Sequence, residues 1–116
     1  MKTIVITGAT RGIGRALAER CVELGLAVIG CGRSESQIER LRSKFNPPHR
    51  FDALDVTDAG AVHTWANSVL KQIGAPDYLI NNAGLVNENA PLWEISAEEF
   101  SRIIDTNIKG VANVIR

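Results

Sequence analysis

Residues Thr7–Gly14 read TGATRGIG, and their three glycines follow the spacing G-x-x-x-G-x-G. The segment follows a β-branched run, TIVIT, whose near-continuous apolarity is typical of a strand covered on both faces. After it, apolar residues recur every three or four positions, which predicts a helix over residues 12–24. Backbone N–H groups in such a strand–turn–helix hold a dinucleotide pyrophosphate. There Gly8 permits the turn, Gly12 the close approach of the phosphates, and Gly14 the tight packing of helix on strand.

The alternation of strand and helix continues along the whole chain. Strands are predicted at residues 3–7 (TIVIT), 26–31 (LAVIGC), 50–56 (RFDALDV) and 78–80 (YLI). The later helices are predicted to begin at polar cap residues, with capping-box partners at two of them: Ser34 with Gln37, Thr57, and Ser96 with Glu99. Crossovers of this length require parallel strands, and right-handed connections give the order 3-2-1-4. The prediction is an α/β fold, a Rossmann-type doubly wound parallel sheet in one domain, 1–116, truncated after the fourth strand and the helix that follows it.

Composition and charge exclude several classes of partner. Thirteen Lys and Arg balance thirteen Asp and Glu, so there is no electrostatic footprint for nucleic acid or for an anionic membrane. No apolar run approaches the length of about 20 residues that crosses a bilayer, and the N-terminus leads directly into a strand rather than a signal peptide. Cys21 and Cys31 fall on apolar positions, and no His stands at ligand spacing, so we predict two core thiols and no metal site. We expect a small-molecule partner and a cytoplasmic location.

Three motifs lie in register along the chain: TGATRGIG at 7–14, NNAG at 81–84 and DTNIKG at 105–110. Together they resemble the short-chain dehydrogenase/reductase family, of whose typical domain they represent the first half or so. The resemblance implies hydride transfer between a nicotinamide cofactor and a small carbonyl or alcohol, by an enzyme that forms a homo-oligomer at full length. It also implies a set of cofactor-binding residues: Gly8, Thr10, Arg11, Gly12, Ile13, Gly14, Arg33, Ser34, Asp55, Val56, Asn82, Ala83 and Gly84.

The end of the second predicted strand indicates which nicotinamide cofactor is preferred. An acid there accepts a hydrogen bond from the ribose 2′-OH of NAD, whereas an arginine accommodates the 2′-phosphate of NADP. This corner reads Gly32-Arg33 and carries no carboxylate. Arg33, with Arg11 from the glycine-rich turn, could therefore clamp the phosphate, and we predict NADP rather than NAD. The alternative for either arginine is an ordinary solvated side chain.

The remaining site residues stand at the ends of later elements. Asp55 ends strand three beside Val56; the resemblance implies that the pair contacts adenine, although an acid here could equally complement the dipole of the next helix. The segment 82–84 resembles the wall along the cofactor ribose, while Asn81 is predicted to steady the sheet through backbone hydrogen bonds. For Asn107 the resemblance implies the family's catalytic role in a water relay; the alternative is a side chain that bonds the backbone where the last helix is interrupted.

The other catalytic residues of the family have no match in this chain. Its one tyrosine, Tyr78, is followed four positions later by Asn82, so no Tyr-x-x-x-Lys exists and the chain alone is predicted to be inactive. Tyr78 is interpreted as an aromatic at the edge of the core, Trp65 as a core residue and Trp93 as a loop anchor. The irregular loop 84–95 is a candidate lid on the substrate side.

Three functional hypotheses follow from the sequence. The first is the cofactor-binding half of an NADP-dependent carbonyl reductase or alcohol dehydrogenase, which makes the chain a fragment of a longer enzyme. The second is a non-catalytic nucleotide-binding or sensor module. The third, a methyltransferase that binds S-adenosylmethionine, is less favoured because it predicts an acid at the position of Gly32 or Arg33. The identity of the substrate does not follow from these residues.

Overall fold

Four parallel strands form one sheet in the order β3-β2-β1-β4, as predicted. The computed structural model describes all residues, 1–116. Its elements are β1 Thr3–Thr7, α1 Gly12–Glu23, β2 Ala27–Gly32, α2 Glu35–Lys44, β3 Arg50–Ala53, α3 Ala59–Ile73, β4 Tyr78–Ile80, a 3₁₀ turn Leu92–Glu94, α4 Ala97–Ile104, a π-helical segment Asp105–Gly110 and α5 Val111–Ile115. No helix combines the length and apolarity that a bilayer crossing requires.

Two apolar cores lie on opposite faces of the sheet, which explains why its central strands are apolar at almost every position. Successive residues of a strand point to opposite faces, so Ile4 and Ile6 join one core and Val5 the other. Helices α1 and α2 cover the first core, to which Cys21 contributes, and α3 covers the second, which contains Cys31. Both thiols are buried, as predicted.

Several predicted details of the helices are confirmed. The Ser34 hydroxyl accepts a hydrogen bond from the Gln37 N–H at 3.4 Å, and the Ser96 hydroxyl accepts one from the Glu99 N–H at 3.1 Å. The Glu99 carboxylate does not complete its capping box, because it accepts from the Glu88 N–H instead, at 3.1 Å. Trp65 is a core residue, only 8% exposed.

The predicted start of α3 and end of β3 are wrong. Strand β3 ends at Ala53, three residues before Val56. The residues after Ala53 leave the strand and form a turn. In this turn the Asp55 carboxylate accepts hydrogen bonds from the backbone N–H and the hydroxyl of Thr57, at 3.0 and 2.8 Å. Thr57 is therefore not the cap of α3. That cap is Asp58, whose carboxylate accepts from the Ala61 N–H at 3.1 Å.

Two predictions near the C-terminus also need correction. The helix predicted to begin at Ser96 is interrupted over the whole π-helical segment, Asp105–Gly110, which contains Asn107. The sequence predicted an interruption of the helix at Asn107, but it did not predict that the interruption would be a π-helical segment. Trp93 anchors nothing, since its side chain is 85% exposed in the 3₁₀ turn.

His49, just before β3, extends the hydrogen bonding of the sheet with its ring. The Val28 N–H donates to Nδ1 of His49 at 3.2 Å, so this nitrogen must be unprotonated. The ring packs edge-on against Phe45, with 6.1 Å between ring centroids. Burial lowers the pKa of His49 from its ordinary value of 6.5.

The stability of the fold should consequently decrease in mild acid. In the unfolded chain a histidine is protonated below about pH 6.5, whereas the lowered pKa of His49 keeps it neutral to a lower pH in the folded chain. The contribution of His49 to stability is therefore complete above about pH 6.5 and is lost as the pH falls through the lower pKa of the folded state. We expect the urea midpoint to fall further between about pH 7.5 and about pH 5.5 in the wild-type chain than in His49→Gln, which retains an acceptor that does not titrate. His63→Gln, at an exposed position of α3, is the control. An unchanged pH dependence in His49→Gln would contradict this role.

Candidate functional site

A cleft of about 450 Å³ opens at the carboxyl edge of the sheet, the edge at which open α/β folds bind ligands. The strand register brings the ends of β1, β2 and β4 together there. All the predicted cofactor-binding residues line the cleft except Ile13 and Gly14. The lining comprises Gly8, Thr10, Arg11, Gly12, Cys31, Gly32, Arg33, Ser34, Gln37, Leu54, Asp55, Val56, Asn82, Ala83, Gly84, Leu85 and Thr106.

The glycine-rich turn presents the N-terminus of α1 to this cleft. Gly8 and Gly12 have φ angles of +65° and +58°, a backbone conformation that favours glycine. No side chain caps α1 at Arg11, so the first N–H groups of the helix have neither an intrahelical partner nor a side-chain one. A Cβ on Gly12 would meet no protein atom within 4 Å. The turn thus leaves an open, partially positive surface at the helix end.

Gly14 and Ile13 lie beside the cleft rather than in its lining. A Cβ on Gly14 would stand 2.0 Å from the carbonyl oxygen of Gly8, so the helix approaches the turn as closely as glycine allows. This contact is the packing role predicted for Gly14. Ile13 is 80% exposed and contributes nothing to the lining.

Thr7 and Asn82 join the glycine-rich turn to the end of β4. The buried Thr7 hydroxyl accepts hydrogen bonds from the N–H groups of Asn82 and Ala83, at 3.0 and 2.9 Å. The Asn82 side chain in turn donates to the Gly8 carbonyl at 3.1 Å. The steadying role predicted for Asn81 therefore belongs to its neighbour, and the buried Oδ1 of Asn81 has no hydrogen-bond partner at all.

The charged residues of the cleft are Arg11 in the glycine-rich turn, Arg33 after β2 and Asp55 after β3. Arg33 and Arg11 both line it, and neither forms an ion pair or a side-chain hydrogen bond within the chain. Asp55 is the one carboxylate in the lining, and Thr57 occupies its Oδ1. Two unpaired guanidinium groups near a free helix N-terminus favour an anionic ligand, phosphate above all.

Asn107 does not line the cleft itself, and its side chain is hydrogen-bonded to the loop that follows β4. Its Oδ1 accepts from the Leu85 N–H and its Nδ2 donates to the Leu85 carbonyl, both at 2.7 Å. The side chain thus forms the pair of hydrogen bonds that a neighbouring backbone segment would form with Leu85. Bonding to the backbone is one of the two roles predicted for Asn107. Thr106, the preceding residue, is the member of this motif that reaches the lining.

Sequence reasoning missed several lining residues: Cys31, Gly32, Gln37, Leu54, Leu85 and Thr106. Gly32 and Leu54 directly precede predicted site residues, so adjacency could have indicated them. Thr106 likewise precedes Asn107 in the motif DTNIKG. Gln37 had no such signal as a site residue, because it lies in a helix whose orientation the sequence leaves undetermined. Burial raises the pKa of the Cys31 thiol to about 12, so this cysteine stays protonated and is no nucleophile.

Comparison with known proteins gives consistent matches. The chain matches the short chain dehydrogenase family over residues 2–116. It is 42% identical over 117 residues to the NADPH-dependent pterin aldehyde reductase of Arabidopsis thaliana, covering 99% of this chain and 48% of that protein. The fold is similar to the closed form of serine dehydrogenase complexed with NADP+, with a TM-score of 0.92, 31% identity, and coverage of 98% and 46%.

A third match differs in its nucleotide. The 3-ketoacyl-(acyl-carrier-protein) reductase from Brucella melitensis, complexed with NADH, has a TM-score of 0.92 at 30% identity and coverage of 99% and 48%. The chain spans about half the length of the relatives that it matches. Since similar folds hold either nucleotide, the preference of this chain has to be argued from its own cleft.

Proposed function

The chain belongs to the short-chain dehydrogenase family, and we propose that its cleft binds NADP(H) as the cofactor-binding part of an oxidoreductase acting on a small carbonyl or alcohol. The observation that carries the proposal is the pair of unpaired arginines, Arg11 and Arg33, beside the uncapped N-terminus of α1. The helix N-terminus suits a pyrophosphate, and the two arginines suit a further phosphate. That further phosphate is what distinguishes NADP from NAD.

The shape of the cleft fits such a ligand. Its volume of about 450 Å³ lies within the usual range for small-molecule sites. The glycine-rich turn would hold the pyrophosphate on backbone N–H groups, with Gly12 leaving room for close approach. Arg33 and Arg11 would bind the 2′-phosphate, and Ser34 adds a hydroxyl at the same corner. A charge-assisted hydrogen bond of this kind contributes about 1.5–3 kcal/mol.

The rest of the lining would position the nucleoside parts of the cofactor. We assign Asp55 and the buried Val56 to the adenine, because the second carboxylate oxygen of Asp55 has no partner within the chain. The small residues of segment 82–84 allow a ribose to lie against backbone, and the Thr7 hydroxyl fixes their N–H groups.

The bound cofactor would supply a hydride to a carbonyl or accept one from an alcohol, and the chain would bind and orient the cofactor. Leu85 takes one hydrogen bond at each end of the Asn107 amide, which keeps one N–H and one lone pair. Any part that Asn107 takes in a proton relay would use these groups or its backbone carbonyl. The chain contains no Tyr-x-x-x-Lys, so within these residues we expect binding without turnover. The proposal also includes a small carbonyl or alcohol substrate, a homo-oligomer at full length and a cytoplasmic location.

Gly12→Ala compared with Gly25→Ala tests where the cofactor binds. Both glycines have positive φ and open space where a Cβ would stand, so each substitution should cost about 1–2 kcal/mol of stability through the same backbone strain. Only the methyl at position 12 would enter the cleft. We expect Gly12→Ala to weaken NADPH binding by about tenfold or more and Gly25→Ala to leave it nearly unchanged, as followed by nucleotide fluorescence. Equal losses in the two variants would contradict this location.

A further inference from the structure

We propose that Thr10 determines the cofactor preference together with Gly32, by filling the space that any side chain at position 32 would need. The inference rests on the proposed function, and it adds a steric component to a preference that Arg33 and Arg11 would set by charge alone. Neither residue carries charge, and the two lie on different elements, the glycine-rich turn and the end of β2.

The contact between the two residues is close. A Cβ on Gly32 would stand 2.4 Å from Cγ2 of Thr10, 3.1 Å from its Oγ1 and 3.3 Å from its Cβ. Carbon atoms in favourable contact are about 3.5–4.0 Å apart. Thr10 is only 8% exposed and is β-branched, so its side chain is restrained against rotating out of the way.

The backbone does not explain the glycine at position 32. Gly32 is absent from the residues with positive φ, unlike Gly8, Gly12, Gly25 and Gly74. It is the last residue of β2 and still pairs with Ala53 of β3, so its backbone is that of an ordinary strand residue, for which a side chain would be usual. The neighbour that needs it is Thr10, since all three of the nearest atoms belong to that side chain.

The consequence concerns the acid that would favour NAD. A carboxylate ending the second strand accepts the ribose 2′-OH and repels a 2′-phosphate. In this chain a carboxylate at position 32 would first have to displace Thr10 from the floor of the cleft. A change of preference to NADH through position 32 therefore requires a smaller residue at position 10.

A double-mutant cycle tests the steric part. Wild type, Thr10→Ala, Gly32→Ala and Thr10→Ala/Gly32→Ala are compared by urea unfolding and NADPH titration. Gly32→Ala should lower the urea midpoint and weaken NADPH binding by about tenfold with Thr10 present, but by no more than about threefold in the Thr10→Ala background. Equal effects in the two backgrounds would overturn the inference.

A second pair of variants tests the preference itself. Thr10→Ala/Gly32→Asp should bind NADH at least about tenfold more tightly than Gly32→Asp. Equal NADH affinity in these two variants would overturn the role of Thr10 while leaving the proposed function intact. A folded wild-type chain that binds neither NADPH nor NADH would instead overturn the proposed function, and with it the cofactor preference inferred here.

Discussion

Gly14→Ala is expected to remove a large part of the stability of this chain and all measurable NADPH binding. The new methyl carbon would stand 2.0 Å from the Gly8 carbonyl oxygen and 2.4 Å from Nδ2 of Asn82. The first of these is a backbone atom, so relief requires α1 to move away from the turn and the Asn82–Gly8 hydrogen bond to break. Overpacking typically costs about 1–3 kcal/mol and occasionally more, and a contact this short with a backbone atom belongs at the upper end of that range. Such a cost is a large part of the stability of about 5–15 kcal/mol typical of a domain.

The matched control for Gly14→Ala is Gly60→Ala. Gly60 lies in the first turn of α3, where an added Cβ would have its nearest neighbour at an ordinary 3.7 Å. Alanine is favoured over glycine in a helix by about 1 kcal/mol, so this variant should be as stable as wild type or more so. Urea unfolding of both variants decides the matter. A Gly14→Ala chain that unfolds at the wild-type midpoint would contradict the close approach of α1 to the glycine-rich turn.

Arg33→Asp is expected to weaken NADPH binding by at least roughly a hundredfold. The substitution removes charge-assisted hydrogen bonds to the 2′-phosphate and places a carboxylate where it repels that group. NADH, which lacks the phosphate, should lose far less affinity. The measurement is a fluorescence titration of each variant with both nucleotides at one ionic strength, since salt screens exposed charges.

Arg40→Asp provides the control for charge reversal. Arg40 is also an exposed arginine, in α2, but it does not line the cleft. A change in net charge alone would affect both variants alike, whereas a specific phosphate contact affects position 33 only. Should the two variants lose NADPH affinity equally, the assignment of the 2′-phosphate to Arg33 would be wrong.

The order of the strands could be predicted from the sequence because several independent signals agree. Strands β1, β2 and β4 are short and mostly apolar, and each crossover, including those on either side of the more polar β3, is long enough to require parallel pairing. Ser34 and Ser96 mark helix starts because their hydroxyls satisfy otherwise free N–H groups. The glycine-rich turn also predicts where the cleft lies. It joins the carboxyl end of the first strand to the N-terminus of the first helix, and open α/β folds bind ligands at that edge of the sheet.

Details that depend on contacts between distant residues could not be predicted. The cap of α3 is a local exception: Thr57 and Asp58 are both good caps, and the sequence pattern did not show that the Thr57 hydroxyl donates to Asp55 two residues earlier. Asn81 and Asn82 are adjacent amides, and which one reaches the Gly8 carbonyl depends on how β4 ends beside β1. Such choices are made by packing, which local patterns do not encode.

The role of Gly32 shows the same limit within the site. From the sequence, Gly32 is simply the missing acid at the end of the second strand. Only the fold shows that its missing side chain makes room for Thr10, 2.4 Å from where a Cβ would stand. Likewise, nothing in the motif DTNIKG reveals that both ends of the Asn107 amide are bound to Leu85.

A preference of this cleft for NADPH over NADH underlies the roles proposed for Arg33, Arg11 and Thr10. Titration of the purified, folded wild-type chain with each nucleotide measures that preference, followed by nucleotide fluorescence, with circular dichroism to establish folding. We expect saturable NADPH binding, and NADH binding weaker by about tenfold or more. A folded chain that binds neither nucleotide, or that binds NADH as tightly as NADPH, would contradict the proposed function of the cleft.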